Sequence, residues 1–434
     1  MINIAFAIPD AKDLFGFLEA LYPYGILGPL EHLYRLSLTQ KHSDLWPSLR
    51  LDASTPKERN VASYAAIARY YPKVVVQDIM DVQWLKTLNV RQMEWITEEL
   101  WQGGDEWITL PITHFTWQSY IDVPNSWSSC LPQLNCLKAL KVYTRHQEIF
   151  HDVCALAAKS DTLIHLEVNY GFEPITETAL RNLIEWFRRQ PVQVFGYTGV
   201  GWKGLNDVAL KQELFKAMFN CPTLDKLMLH RCYLLDMDVS RNLQEYTFSM
   251  KTLELHDCSV KGSFLEKMIS RLKNSKALHL SLHGYHLMDM RDQGIQHLLR
   301  SLPRMPIKHL ALSDDRIGSP VLNNLVPFLE HCPVETLMFR AVGFTKAVVA
   351  KFVKAIQNNQ TIYELDLGRS WLTIDELRLV IESFTHPSRL VKTKRIKVHP
   401  SKHWVESGSW DDFKKLTTER VGEFVEVQVV EDYS

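Results

Sequence analysis

The sequence predicts an α/β solenoid that is curved, with parallel strands on a concave face, helices on a convex face and a short helical cap at its N-terminus. Three observations carry this expectation. The first is a recurring apolar spacing, seen at Leu224, Leu227 and Leu229 inside the stretch NCPTLDKLMLHRC from Asn220 to Cys232. The second is its period: the middle apolar position recurs at Leu140, Leu166, Phe195, Leu227, Leu253, Leu280, Leu310, Leu337 and Leu365, in steps of 26 to 32 residues. The third is alternation, because each short core is followed by a stripe at helical spacing. Leu322, Leu325, Val326 and Leu329 form one such stripe, and Val348, Val349, Phe352, Val353 and Ile356 another. A strand plus a full helix is wider on the helix side, so a stack of such units must bend.

The core reads L-x-x-L-x-L, with Cys232 or Cys258 three places beyond its last anchor. At this period it resembles a leucine-rich repeat of the long, ribonuclease-inhibitor-like type. The resemblance covers about two-thirds of the chain. It implies recognition of another protein across the concave strands and is silent on which protein.

Composition narrows the function classes. The chain has 434 residues, 46% of them hydrophobic and 23% charged, as expected of a folded protein rather than a disordered one. Its formal net charge of −1 gives no global electrostatic reason to bind nucleic acid or an anionic membrane. No apolar run approaches the roughly 20 residues of a membrane-spanning helix. The opening MINIAFAIPDAKD lacks the basic and then apolar pattern of a secretory leader. Seven cysteines without a C-x-x-C pair suggest reduced structural thiols, hence a cytoplasmic or nuclear address. One glycosylation sequon, Asn359-Gln360-Thr361, is close to chance occurrence.

In chain order, residues 1–52 form the helical cap. Leu14, Phe15, Phe17, Leu18 and Leu21 make one stripe, Leu30, Leu33, Leu36 and Leu38 a second, and Asp44 to Leu51 reads as a strand. With Ile8-Pro9 ahead of two helices and L-W-x-x-L-x-L after them, this segment resembles an F-box leading into leucine-rich repeats. The resemblance implies that Leu14, Phe17, Leu18, Leu33 and Leu36 hold the linker protein of a cullin-type ubiquitin ligase. A plain cap covering the apolar edge of the first repeat would use the same residues. Residues 53–136 are irregular first repeats, with strands expected at Tyr71/Val74/Val76 and Ile112/Phe115/Trp117. Six of the 12 tryptophans stand in this region, at 84, 95, 101, 107, 117 and 127, where core packing is the expected use. Residues 137–388 are the regular repeats. Residues 389–434 add a strand at Thr393/Ile396/Val398 amid the basic run of Arg389, Lys392, Lys394, Arg395, Lys397 and Lys402. The alternating Glu423 to Val430 then reads as an edge strand.

Motifs for chemistry are missing: the sequence holds no phosphate loop, zinc-binding H-E-x-x-H or nucleophile elbow. It therefore assigns no catalytic residue, metal ligand or cofactor, and an enzyme is not expected. The repeat register is more informative. The position after the last anchor reads His230, His256 and His283 on consecutive strands, with Arg340 two strands on. The position between the second and third anchors supplies Met228, Glu254, Met338 and Asp366. His165, His279 and His309 share the position before the second anchor. Imidazoles stacked at strand spacing should repel when charged, which lowers their pKa values. These residues read as a polar, partly methionine-lined surface for a partner protein. A pH-sensitive contact and a metal-dependent or hydrolytic enzyme using the histidine column remain open alternatives.

Overall fold

The computed structural model describes residues 2–55, 57–79, 81–98, 105–118, 130–171, 175–189, 191–200, 207–232, 234, 245–259, 262–284, 293–313, 319–368, 370, 372–398, 410–413 and 415. The chain forms two compact units, Met1–Tyr170 and Gly171–Ser434.

The first unit carries strands β1 (Leu49–Leu51), β2 (Val74–Gln77), β3 (Met93–Thr97), β4 (Ile112–Gln118), β5 (Ala139–Thr144) and β6 (His165–Tyr170). They lie in sequence order and pair in parallel. After a helical turn at Ile2–Ala5, the cap holds helix Ala11–Leu21, whose N-cap Asp10 accepts from the amides of Lys12 and Asp13 at 2.8 and 3.2 Å. This satisfies amides that have no partner inside the helix. Helix Leu30–Ser37 follows. The strand expected from Asp44 to Leu51 is shorter than its pattern suggested. His42–Leu45 is a helical turn, and only Leu49–Leu51 pairs. Pro47 has no amide to give a ladder, so pairing can begin only after it. Trp46 and Tyr71 fasten this corner, the indole donating to the Pro9 carbonyl at 3.2 Å and the phenol to that of Leu45 at 2.6 Å. Phe6 packs edge-on against both, with centroids 5.1 Å apart in each pair.

Val74 and Val76 enter β2 as expected, but β3 fell outside the sequence pattern. It shows Met93 and Trp95 facing inward, and its register against β4 shifts because Thr113 is an extra residue there. Trp84, Trp95, Trp107 and Trp117 are all buried, and Trp95 meets Trp107 at 5.6 Å. These four fill the core where leucines are scarce; Trp101 and Trp127 lie outside the described residues.

The second unit continues with β7 (Val194–Thr198), β8 (Lys226–His230), β9 (Thr252–His256), β10 (His279–His283), β11 (His309–Ser313), β12 (Thr336–Arg340), β13 (Glu364–Asp366) and β14 (Arg395–Lys397). These also run parallel in sequence order, one strand per repeat. All nine middle anchors occupy the second position of a strand, and neighbours match one to one, as Leu227, Leu253, Leu280, Leu310 and Leu337 do. In β8 to β12 the second and fourth side chains are buried and the other three half-exposed. Each buried anchor contributes about 1.5–3 kcal/mol against exposure. Helices Ser319–Leu329 and Lys346–Asn358 fall where their stripes placed them. The strand expected at Glu423 to Val430 lies outside the described residues.

Polar side chains stitch the repeats together. Thr162, Thr223 and Thr361, each just before a first anchor, donate to the carbonyls of Leu137, Val192 and Val334 at 2.8, 2.9 and 2.9 Å. The Cys258 thiol donates to Leu229 at 3.0 Å, and that of Cys232 to Tyr197 at 3.8 Å. None of the seven cysteines, all among the described residues, forms a disulfide, and six are buried. Asn359 is 1% exposed, its amide donating to Leu329 at 2.7 Å, so the sequon is an internal strut. Arg389, expected in a basic surface run, is buried and donates to the carbonyls of Ile356 and Ile362.

Strand exits use left-handed backbone at Arg231, Asp257, Gly284 and Ala341. Their amides donate to the following repeat at His256, His283, Ser313 and Gly368, over 2.7, 2.8, 2.9 and 3.1 Å. Gly284 alone has no room for a side chain, since an added Cβ would sit 2.0 Å from Asp257 Oδ1 and 2.7 Å from its Cα. We predict that Gly284→Ala lowers stability by at least about 2 kcal/mol in urea denaturation, whereas Ala341→Gly changes it little. Equal effects would show that the close approach is not a constraint.

Candidate functional site

Strands β8 to β12 of the second unit turn positions one, three and five to the open face, and register aligns them into three columns about 4.8 Å per step. Position five runs His230, His256, His283, Ser313, Arg340. The first three stack as expected, His230 on His256 at 4.4 Å and 8°, His256 on His283 at 4.2 Å and 32°. Position three runs Met228, Glu254, Ser281, Ala311, Met338, with Asp366 beyond on β13. Position one holds a second stack, His279 on His309, at 3.9 Å and 2°.

The structure therefore gathers His230, His256, His283, Glu254 and Met228 into one patch. Met338, Arg340 and Asp366 form a second, with Met338 about 19 Å along the sheet from Met228 at four strand spacings. Asp366 is not an open contact. It is 4% exposed, accepting from Arg340 at 2.6 Å and from the Gly368 amide at 2.9 Å. Its strand is short and the chain turns at once, which folds the carboxylate inward. In the cap, Leu14, Leu18 and Leu33 are fully buried and Leu36 is 1% exposed, while Phe17 is half-buried. Those four leucines are core, packed where a linker protein cannot reach them.

Two residues that hold the patch escaped the sequence reading. Lys226 Nζ lies 2.8 Å from Glu254 Oε1, leaving Oε2 at 3.9 Å from His230 Nε2. Ser281 Oγ lies 2.9 Å from His256 Nε2. Both are diagonal neighbours across adjacent strands, a relation that column-by-column reading omits but register supplies.

Burial is the largest cause pulling His256 down to a pKa of about 3; the His283 and His230 rings and Lys226 lower it further. His283 is lowered by burial and then by Arg340, and His279 by burial and then by His309. The expected direction is met, but burial outweighs imidazole repulsion. This decides the chemistry of the Ser281–His256 contact. An imidazole so weakly basic is a poor general base for a serine hydroxyl at neutral pH.

The first unit carries a related cluster. Glu167 lies 2.5 Å from His165 and 3.0 Å from Lys141. Burial alone would raise its carboxyl, yet hydrogen bonds from these two partners outweigh it and hold the pKa at about 2.

No family model matches the chain. Over 102 residues it is 26% identical to NACHT, LRR and PYD domains-containing protein 14 of Homo sapiens, a match covering 23% of this chain and 9% of that protein. A chain of the solved TLR13-ssRNA13 complex aligns over 70% of this chain and 41% of its own length, at 14% identity and a TM-score of 0.33. So remote a likeness carries no argument. This chain spans less than half of either protein. Its own repeat and register decide the architecture. It is leucine-rich-repeat-like.

Because Glu167 titrates below its usual 4.5, its stabilising contribution is full above that pH and is lost as pH falls toward about 2. Glu167→Gln should therefore cost on the order of 1–2 kcal/mol at neutral pH, a difference from wild type that shrinks as pH falls below 4.5 and closes near about 2. Urea midpoints across that range check it.

Proposed function

We propose that this chain is a non-enzymatic recognition protein that binds another protein across the open strand face of its second unit. The observation that carries the reading is the set of three in-register columns on β8 to β12. Their half-exposed polar, imidazole and thioether side chains stand on a backbone fixed by the repeat. Such a face offers area and charge variety rather than a closed reaction chamber. Met228 and Met338 supply adaptable apolar contact, and His230, Glu254, His256, His283 and Arg340 supply direction. A cleft of about 500 Å³ in the first unit is lined by Leu131, Leu134, Asp152, Leu156, Lys159 and Asp161 among others, with no histidine or thiol among its lining residues. Free, mostly buried thiols support a cytoplasmic or nuclear address, where cysteines stay reduced.

The finer reading, a substrate receptor of a cullin-type ubiquitin ligase, draws support from a different surface than the resemblance implied. Ile4, Tyr24, Ile26 and Leu38 of the cap are exposed by 61%, 73%, 51% and 67%. A linker protein would meet these rather than the four buried leucines. Leu38→Asp should then abolish co-purification of a cullin and its linker with the intact chain. Recovery of neither by the wild-type chain would leave the cap as a cover for the first repeat.

The main reading is tested by affinity purification of the intact chain beside His256→Ala and Met228→Glu variants. The specific partner should be lost from both, with thermal midpoints close to wild type, since half-exposed substitutions move stability by only about 0.5 kcal/mol. A partner retained by both variants would place recognition elsewhere.

A further inference from the structure

Side chains of β8 and β9 converge at one point on the open face. His230, Glu254 and His256 each offer one ligand atom, and these three atoms all lie within 4.8 Å of one another. Tetrahedral donors around an ion with bonds of about 2.0–2.2 Å stand about 3.4 Å apart. The three donors must approach by up to about 1.4 Å, and the half-exposed His230 and His256 rings, stacked at 8°, must turn out of that stack so that one ion lies in the plane of both. Their backbone positions are rigid, because His230 and His256 face each other across the β8–β9 ladder and Glu254 precedes His256 by one step on the same face.

We propose that His230, Glu254 and His256 bind a divalent transition-metal ion of the zinc class. Two imidazoles and one carboxylate suit zinc and its neighbours, whereas magnesium and calcium favour all-oxygen sets. Three protein ligands leave a fourth position for water or for a side chain offered by a bound partner. The surroundings fit. Lys226 engages Oε1 of Glu254 at 2.8 Å and leaves Oε2, the oxygen facing His230, for the ion. Ser281, 2.9 Å from His256 Nε2, restrains that ring.

Calorimetric titration of the intact chain with zinc sulfate, with cobalt as a spectroscopic probe, tests this. One ion per chain should bind at micromolar concentration or tighter, and the cobalt form should lack thiolate charge-transfer bands. Loss of an outer-shell partner already costs about 10–100-fold in metal affinity, so Glu254→Gln and His256→Ala should each weaken binding at least about tenfold. His230→Asn replaces His256→Ala should that variant melt without metal. The proposal is overturned by no uptake, by uptake that survives both ligand substitutions, or by thiolate bands that place the ion on cysteine.

Discussion

Every repeat in this protein is completed by hydrogen bonds to a neighbouring repeat. Among the described residues, strand amides and carbonyls pair across the parallel ladder. The threonine before a first anchor reaches back to the preceding repeat, and the left-handed amide after a strand reaches forward to the next. Buried backbone groups left unpaired are costly, so the register cannot slip. That constraint sorts leucines to one face and histidines to the other. The placement of every side chain on the open face follows from it.

Register also sets the electrostatics. Strand spacing brings imidazoles to ring contact whether or not charge would permit it, and the surrounding face buries them further. The outcome is that His256, and less strongly His283 and His279, are held neutral. Neutral ring nitrogens beside the Glu254 carboxylate make a donor surface rather than a cationic one. Lys226 and Arg340 supply the positive charge at its margins, each tied to a carboxylate.

Much of this was legible before any coordinates. Apolar anchors at the repeat spacing, Phe195 in β7 and leucine in the other eight, marked all nine strands from β5 to β13, because an anchor must be both apolar and in register to be buried. The histidine stack followed by counting. What escaped had physical causes. β3 hid because Met93 and Trp95 replace leucines and Thr113 breaks the spacing that β4 would otherwise keep. Arg389 and Asp366 looked like surface charges, but each is drawn inward by partners that no linear pattern displays, two carbonyls for one and Arg340 with a turn amide for the other. The cap leucines were found as stripes, yet a stripe says that a helix buries a face and not against what. Lys226 and Ser281 required diagonal neighbours across strands.

Among the described residues, strands of the second unit pair only with those next in sequence. Such an arrangement behaves as a line of coupled links, and its response to load follows. Pulled from one end, it should yield by peeling, each repeat shedding its strand and helix before the next feels the force. A force record would then show a series of small, similar releases instead of a single rupture, and refolding would proceed from whichever repeats stayed in place.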